Sequence, residues 1–243
     1  MYLQITTKCN MACEHCCSSC SPKTGKHMTK EIFQKALEFC AERGETPFIG
    51  GGEPTVHPQF WEFLGLLLGK ANWFELDMLS LITNGKNKKD ALALATLARK
   101  GILSVELSQD EWHEEIDPQV VDAFTVKGEK RDEDLRGIRT VFFVSRTGRG
   151  KNIGHAKNQC VCEEMVIDPD GKIWACGCKK VSFGTIEKPK IPEDYESGHC
   201  YGIEAKPKPK QNFAMECRLE KSANIAIKEK EITNESLCAD ACV

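Results

Sequence analysis

Apolar and polar positions along the chain follow two periods that recur in turn, a two-residue alternation in short runs and a helical spacing in longer ones. Tyr2, Gln4 and Thr6 alternate with Leu3, Ile5 and Thr7, which predicts a strand delivering the chain to Cys9. Thr29 is placed to cap a helix whose Ile32, Phe33, Ala36, Leu37 and Cys40 share one face, with Gly44 ending it. Thr46 to Ile49 predicts a second strand, and Pro58 opens a helix carrying Phe60, Phe63, Leu64, Leu67 and Leu68. A third strand near Leu76 to Ile82 passes through Asn84-Gly85 into a helix from Lys88 to Lys100, and Leu103 to Leu107 forms a fourth strand. Strands alternating with helices of this length predict right-handed βαβ units and a parallel sheet or barrel, whose functional loops lie at the carboxyl ends of the strands.

Beyond Ser108 the periodicity weakens. Pro118 to Phe124 predicts a short helix, Lys127 to Arg136 is a run of mixed charge expected on a solvated face, and Ile138 to Val144 predicts a fifth strand. Gly148-Arg149-Gly150-Lys151 marks a loop and an expected boundary, so that residues 1–155 form one domain and 156–243 a second. The second is cysteine-rich and contains a hairpin, Met165 to Ile167 and Lys172 to Ala175, around the turn Asp168-Pro169-Asp170-Gly171. Glu204 to Gln211 reads as an extended Lys/Pro linker before a last polar helix.

Composition narrows the chemistry. A net charge of -3 over 243 residues argues against bulk binding of polyanions, so no nucleic-acid partner is expected. No apolar run is long enough for a membrane helix, and Met1 to Lys8 lacks the features of a secretory signal, so a cytoplasmic protein is expected. The 14 cysteines cluster at the two ends, with Cys40 alone between them, which in a reducing compartment points to metal rather than disulfides.

Cys9, Cys13 and Cys16 are spaced C-x3-C-x2-C directly after the first strand. Three thiolates leave one position of an iron-sulfur cluster open, where four would close it. In full the segment is Cys9-Asn10-Met11-Ala12-Cys13-Glu14-His15-Cys16, and it resembles the CNxxCxHC signature of the radical S-adenosylmethionine (SAM) superfamily. The resemblance implies a shortened partial (β/α)6-type barrel in which the thiolates bind three irons of a 4Fe-4S cluster and SAM chelates the fourth. It further implies that reduction of the cluster cleaves SAM to a 5'-deoxyadenosyl radical, which abstracts hydrogen from a substrate; the cofactor carries the difficult step and the protein aims it. The alternative from the residues themselves is a zinc knuckle taking Cys17 or Cys20 as fourth ligand; otherwise these two are spare thiols lining the site.

Other motifs fall at successive strand ends. Gly51-Gly52-Glu53-Pro54 resembles the superfamily's GGE motif: the glycines allow close backbone approach to a ligand, and Glu53 offers a carboxylate to the SAM methionyl amine. Thr83-Asn84-Gly85 matches a TNG sequence of relatives, and Ser108-Gln109-Asp110 stands where relatives carry SxD; their hydroxyl, amide and carboxylate groups suit ribose hydroxyls. Arg146 and Arg149 offer a guanidinium to the SAM carboxylate, or are solvated loop residues. Trp112 and His113 are expected near the mouth without an assigned role.

At the other end, Cys160, Cys162, Cys176 and Cys178 bracket the hairpin, and the segment resembles the start of a twitch/SPASM extension. That resemblance implies one auxiliary 4Fe-4S cluster, with Cys200, Cys217, Cys238 and Cys242 as possible substitute ligands; a structural zinc or free thiols are the alternatives. A peptide or protein substrate and an electron donor such as flavodoxin or ferredoxin follow by analogy with relatives. Competing readings are a glycyl-radical activase, a small-molecule radical SAM enzyme, and a noncatalytic Fe-S or zinc scaffold.

Overall fold

Five short strands that each follow a loop or helix line up in parallel, as the alternating pattern requires. In the computed structural model, which describes residues 1–74, 79–126, 132–141, 144–154 and 164–196, these are β1 (Tyr2–Gln4), β2 (Phe48–Gly50), β3 (Ser80–Thr83), β4 (Ser104–Ser108) and β5 (Arg136–Arg139). The helices between them are α1 (Lys30–Glu42), α2 (Phe60–Gly69), α3 (Lys88–Arg99) and α4 (Pro118–Phe124). Four further strands, β6 (Val166–Ile167), β7 (Lys172–Trp174), β8 (Ser182–Thr185) and β9 (Lys188–Pro189), complete one sheet of order β5-β4-β3-β2-β1-β6-β7-β8-β9. All described residues belong to one compact unit. Among them no helix is long and apolar enough to cross a membrane.

Period-two alternation divides the sheet into two unlike faces. Leu3, Ile49, Leu81, Val105 and Leu107 point to the helices and are fully buried with Phe33 and Leu37 of α1, Phe63 and Leu67 of α2, and Leu94 of α3. Phe33 and Phe63 stack with ring centroids 4.3 Å apart, locking α1 onto α2. The opposite face carries Tyr2, Gln4, Phe48, Ser80, Ile82, Ser104, Glu106 and Ser108, aligned in rows by the parallel register. Most of these are only partly buried, so this face is open and polar.

α1 begins at the residue its sequence nominates. Thr29 has extended backbone angles and its Oγ1 accepts from the Ile32 backbone N–H at 3.3 Å. Thr29→Ala is expected to cost about 1 kcal/mol, lowering the thermal midpoint by about 2–4 °C in a chain of this size, measurable by circular dichroism.

Three expectations shift. β5 starts two residues before Ile138 and its pairing stops at Arg139, opposite Ser108 where β4 ends. The end of the charge run is not a solvated face: the Arg136 guanidinium forks onto the Asp134 carboxylate at 2.9 and 2.5 Å and donates to Ala123 O at 2.6 Å, and Asp134 is buried. Pro58 does not open α2; a 3-10 turn over Pro54–Val56 intervenes, and α2 begins after Gln59, whose N–H donates to His57 Nδ1. The hairpin is present as β6 and β7, and β6 pairs in parallel with β1, Tyr2 opposite Val166. β8 and β9, not foreseen, extend it. The Lys/Pro stretch from Glu204 lies outside the described residues.

Candidate functional site

The chain leaving β1 forms a cysteine loop that is sewn to its neighbours. Cys9 N–H donates to Ser21 O at 3.2 Å and Thr7 N–H to Lys26 O at 2.9 Å, closing the loop at its base. The segment after β2 runs alongside: Gly52 N–H donates to Thr6 O at 2.7 Å and Glu53 N–H to Lys8 O at 3.0 Å. A Cβ on Gly51 would lie 2.8 Å from Thr6 O, and one on Gly52 only 2.4 Å from Lys8 O. The glycine pair is thus required by the close approach of the chain to itself, a need distinct from the ligand contact expected from the motif.

Glu53 is 1% exposed and fully engaged. Its Oε1 accepts from Thr55 N–H at 3.1 Å, Thr55 Oγ1 at 2.7 Å and Thr83 Oγ1 at 2.8 Å, while Oε2 accepts from Asn84 N–H at 2.7 Å. Burial raises its pKa, against the lowering effect of these bonds. Asn84 carries the link onward, its Nδ2 donating to Asn10 Oδ1 at 2.8 Å and reaching Cys9 Sγ at 3.6 Å. Three motifs that the sequence places separately, GGE, TNG and the cysteine triplet, therefore form one hydrogen-bonded unit at the carboxyl ends of β1, β2 and β3.

At the end of β4, Asp110 is occupied by its own loop. Oδ1 accepts from Trp112 N–H at 2.9 Å and from His113 Nδ1 at 2.7 Å, and Oδ2 from Val141 N–H at 3.0 Å. Burial pushes its pKa up, but these bonds prevail and hold it below the ordinary aspartate value. The His113 ring stands edge-on to His15 with centroids 4.7 Å apart, which brings the β4 loop against the cysteine loop. Burial, then the neighbouring His113, pulls the pKa of His15 down. Ser108 is partly buried on the open face.

The loop after β5 clamps the triplet from the other side. Arg149 donates from Nε to Cys13 O at 2.9 Å and from its backbone N–H to Cys16 O at 3.0 Å. Gly148, at φ +55°, sits where a Cβ would be 2.4 Å from Cys16 O. Arg146 is exposed. Among the described residues, the buried side-chain nitrogen and oxygen atoms without a partner are His15 Nδ1, in the cysteine loop, Arg149 Nη2, whose Nε holds Cys13 O, and Gln109 Oε1, just past the end of β4. Neither His15 nor Gln109 was singled out by the sequence reading; the signal available was only their position inside or beside a motif.

The thiols differ by environment. Burial pushes Cys9 up to about 11 and raises Cys13, whereas Cys16 is lowered by a hydrogen bond from the Cys20 thiol, which is itself raised. Cys20 is buried beside the triplet with Met11. Among the described residues no three His, Cys, Asp or Glu side chains converge closely enough to hold a single ion; a four-iron cluster takes one thiolate per iron and spreads its ligands wider. Cys176 and Cys178, after β7, have sulfurs 3.0 Å apart. Cys160, Cys162, Cys200, Cys217, Cys238 and Cys242 lie outside the described residues.

Residues 3–142, more than half the chain, match the Radical SAM superfamily model, and the chain belongs to that superfamily, which carries a 4Fe-4S cluster and SAM. It is similar to the tungsten-containing aldehyde ferredoxin oxidoreductase cofactor-modifying protein of Pyrococcus furiosus, 34% identical over 113 residues that cover 45% of this chain and 30% of that protein. It resembles the mycofactocin maturase MftC of Mycobacterium ulcerans at 33% identity, over 44% of this chain and 28% of that protein. A third relative is the antilisterial bacteriocin subtilosin biosynthesis protein AlbA of Bacillus subtilis, at 30% identity over 46% of this chain and 24% of that protein. The matched segment thus spans under a third of the length of these curated relatives. In fold, the crystal structure of BtrN in complex with AdoMet and 2-DOIA superposes with a TM-score of 0.55 at 18% identity, covering 76% of this chain and 77% of that one.

Proposed function

We propose that this chain is a radical SAM oxidoreductase that reductively cleaves SAM to a 5'-deoxyadenosyl radical and abstracts hydrogen from a substrate, a peptide or protein side chain. The observation that carries the reading is the cysteine loop itself: Cys9, Cys13 and Cys16 at the carboxyl edge of a parallel sheet, with the unpartnered polar atoms of His15 and Arg149 at the loop. Buried groups of this kind cost free energy until a ligand pairs them.

The residues present fit both cofactors. Cys9, Cys13 and Cys16 would hold three irons of the 4Fe-4S cluster, which supplies the electron that cleaves SAM. Arg149 Nη2 suits the SAM carboxylate, and His15 Nδ1 and Gln109 Oε1 suit polar edges of its nucleoside. Thr83, Asn84 and Asp110 act by holding backbone and neighbours in place, since their polar groups are already engaged. Glu53 likewise fixes the strand ends, leaving the Gly51-Gly52-Glu53 backbone to meet the methionyl amine. The partial barrel of residues 1–155 would then screen the reacting carbon from water on its open face.

Cys176 and Cys178 support one auxiliary 4Fe-4S cluster in a twitch-like segment within residues 156–243, with Cys160 and Cys162 completing it. Flavodoxin or ferredoxin in an anaerobic cytoplasm is the fitting electron donor. The names of the MftC and AlbA relatives favour a peptide substrate; that of the Pyrococcus protein favours a second reading, modification of a small cofactor. The test is anaerobic reconstitution of the full chain, Mössbauer counting of clusters, and assay of 5'-deoxyadenosine with dithionite and SAM. Release of 5'-deoxyadenosine is expected; iron without it would leave only a scaffold.

A further inference from the structure

Lys179 belongs to none of the motifs above. It follows Cys176-Gly177-Cys178 with φ 54°, a left-handed conformation disfavoured for a residue bearing a Cβ. Its backbone N–H is tied to Cys176 O at 3.0 Å. In this conformation the side chain reaches the open face of the sheet, where the ammonium donates to Oε1 of Gln4, the 1%-exposed last residue of β1. Gln4 ends β1, the strand that leads into the cysteine loop, so this contact sets the ammonium at the loop's end of the strand.

Two features make this lysine more than a strut. Among the described residues no carboxylate pairs with it directly: Asp168, the charge that acts on it most, has its oxygens taken by Trp174 Nε1 and the Asp170 and Lys172 N–H groups and acts on this partly buried cation only from farther off. An ammonium has three donors, and Gln4 takes one. Gln4 also shares a row with other open-face residues: the register sets Gln4 beside Gly50, and carries the row through Ile82 to Glu106. At that far end Glu106 faces Arg139 at 3.8 Å, both about half exposed. Strands one and four of a sheet are about 14 Å apart, the length of about four extended residues.

The geometry points to Lys179 as a substrate-anchoring residue that takes a carboxylate oxygen of an extended peptide lying across the open face from β1 to β4. This deepens the peptide-modifying reading and rests on it. The carboxylate is either the peptide's C-terminus or an acidic side chain, because both offer the same paired oxygens to an ammonium.

Isothermal titration calorimetry of the full reconstituted chain with SAM distinguishes these. The probes are acetyl-tetraalanine with a free C-terminus, its C-terminal amide, and acetyl-Ala-Ala-Asp-Ala-amide. Wild type is expected to prefer one or both carboxylate probes over the neutral amide. Lys179→Met should weaken the preferred probe by about 10–100-fold, the worth of a charged hydrogen bond, and abolish the preference. Lys179→Arg should restore most of it. Should Lys179→Met fail to hold iron, Gln4→Leu is read instead, since it releases the ammonium from its tether and is expected to weaken the same probe. Equal binding of all three probes by wild type, or unchanged preference in the variant, overturns the assignment. Absence of 5'-deoxyadenosine from wild type with SAM and dithionite would sink the enzymatic reading separately, because calorimetry still reports the lysine.

Discussion

Replacing Cys13 by alanine is expected to abolish the SAM-binding cluster and with it 5'-deoxyadenosine release. Cys13 sits midway in the triplet, and its carbonyl is held by Arg149 Nε at 2.9 Å, so the loop keeps its path when the sulfur is removed. On the function proposed above, what is lost is one of three protein ligands to a group that has no fourth to spare. Changes to residues that only orient a ligand cost about 10–100-fold in metal affinity, so deletion of a ligand exceeds that range. The expected result is Mössbauer signal for any auxiliary cluster alone, with SAM cleavage below detection. Retention of the full iron complement and of SAM cleavage would show that another thiol serves. Cys20, buried against Cys16 and hydrogen-bonded to it, is the one placed to do so. The double variant Cys13→Ala/Cys20→Ala resolves that outcome.

The legibility of this molecule in its sequence depends on how local each feature is. The cap at Thr29 and the helix from Pro118 to Phe124 are short-range signals, and both are found where the pattern puts them. The parallel strands were also readable, because alternation and helical spacing recur at intervals that leave few topologies. Partners across the sheet were not readable. Nothing in the spacing of Glu53 and Asn84 says that a backbone N–H of one strand end will fill the carboxylate of the next, 31 residues away in sequence. The same holds for Asp110, which a motif match assigns to a ribose but which its own loop and Val141 engage. β8 and β9 were missed because strands of four and two residues carry too little alternation to detect. Lys179 escaped because its place depends on a positive φ and a contact with Gln4 at the other end of the described chain.

Glu53→Leu should produce the largest stability loss of any substitution at the site. The change removes a carboxylate that satisfies two buried backbone N–H groups, those of Thr55 and Asn84, and two hydroxyls, those of Thr55 and Thr83. Hydroxyls can rotate toward other acceptors, but the backbone donors cannot. At about 1–3 kcal/mol for each stranded donor the loss is about 2–6 kcal/mol. That corresponds to a fall of about 4–24 °C in the thermal midpoint for a chain of this size. Because Asn84 also reaches Cys9 Sγ, the triplet should loosen at the same time, read as reduced iron uptake at a temperature where both proteins remain folded. The isosteric Glu53→Gln isolates the charge. Burial raises the folded-state pKa of Glu53, so the folded protein holds its proton more tightly than the unfolded chain. The associated stabilisation is complete below the ordinary glutamate pKa and is lost as pH climbs through the raised folded value. Denaturant unfolding of the apoprotein across that window should therefore show the wild-type advantage over Glu53→Gln narrowing as pH rises. A gap that widens with pH would mean that the four donors, rather than burial, govern this carboxylate.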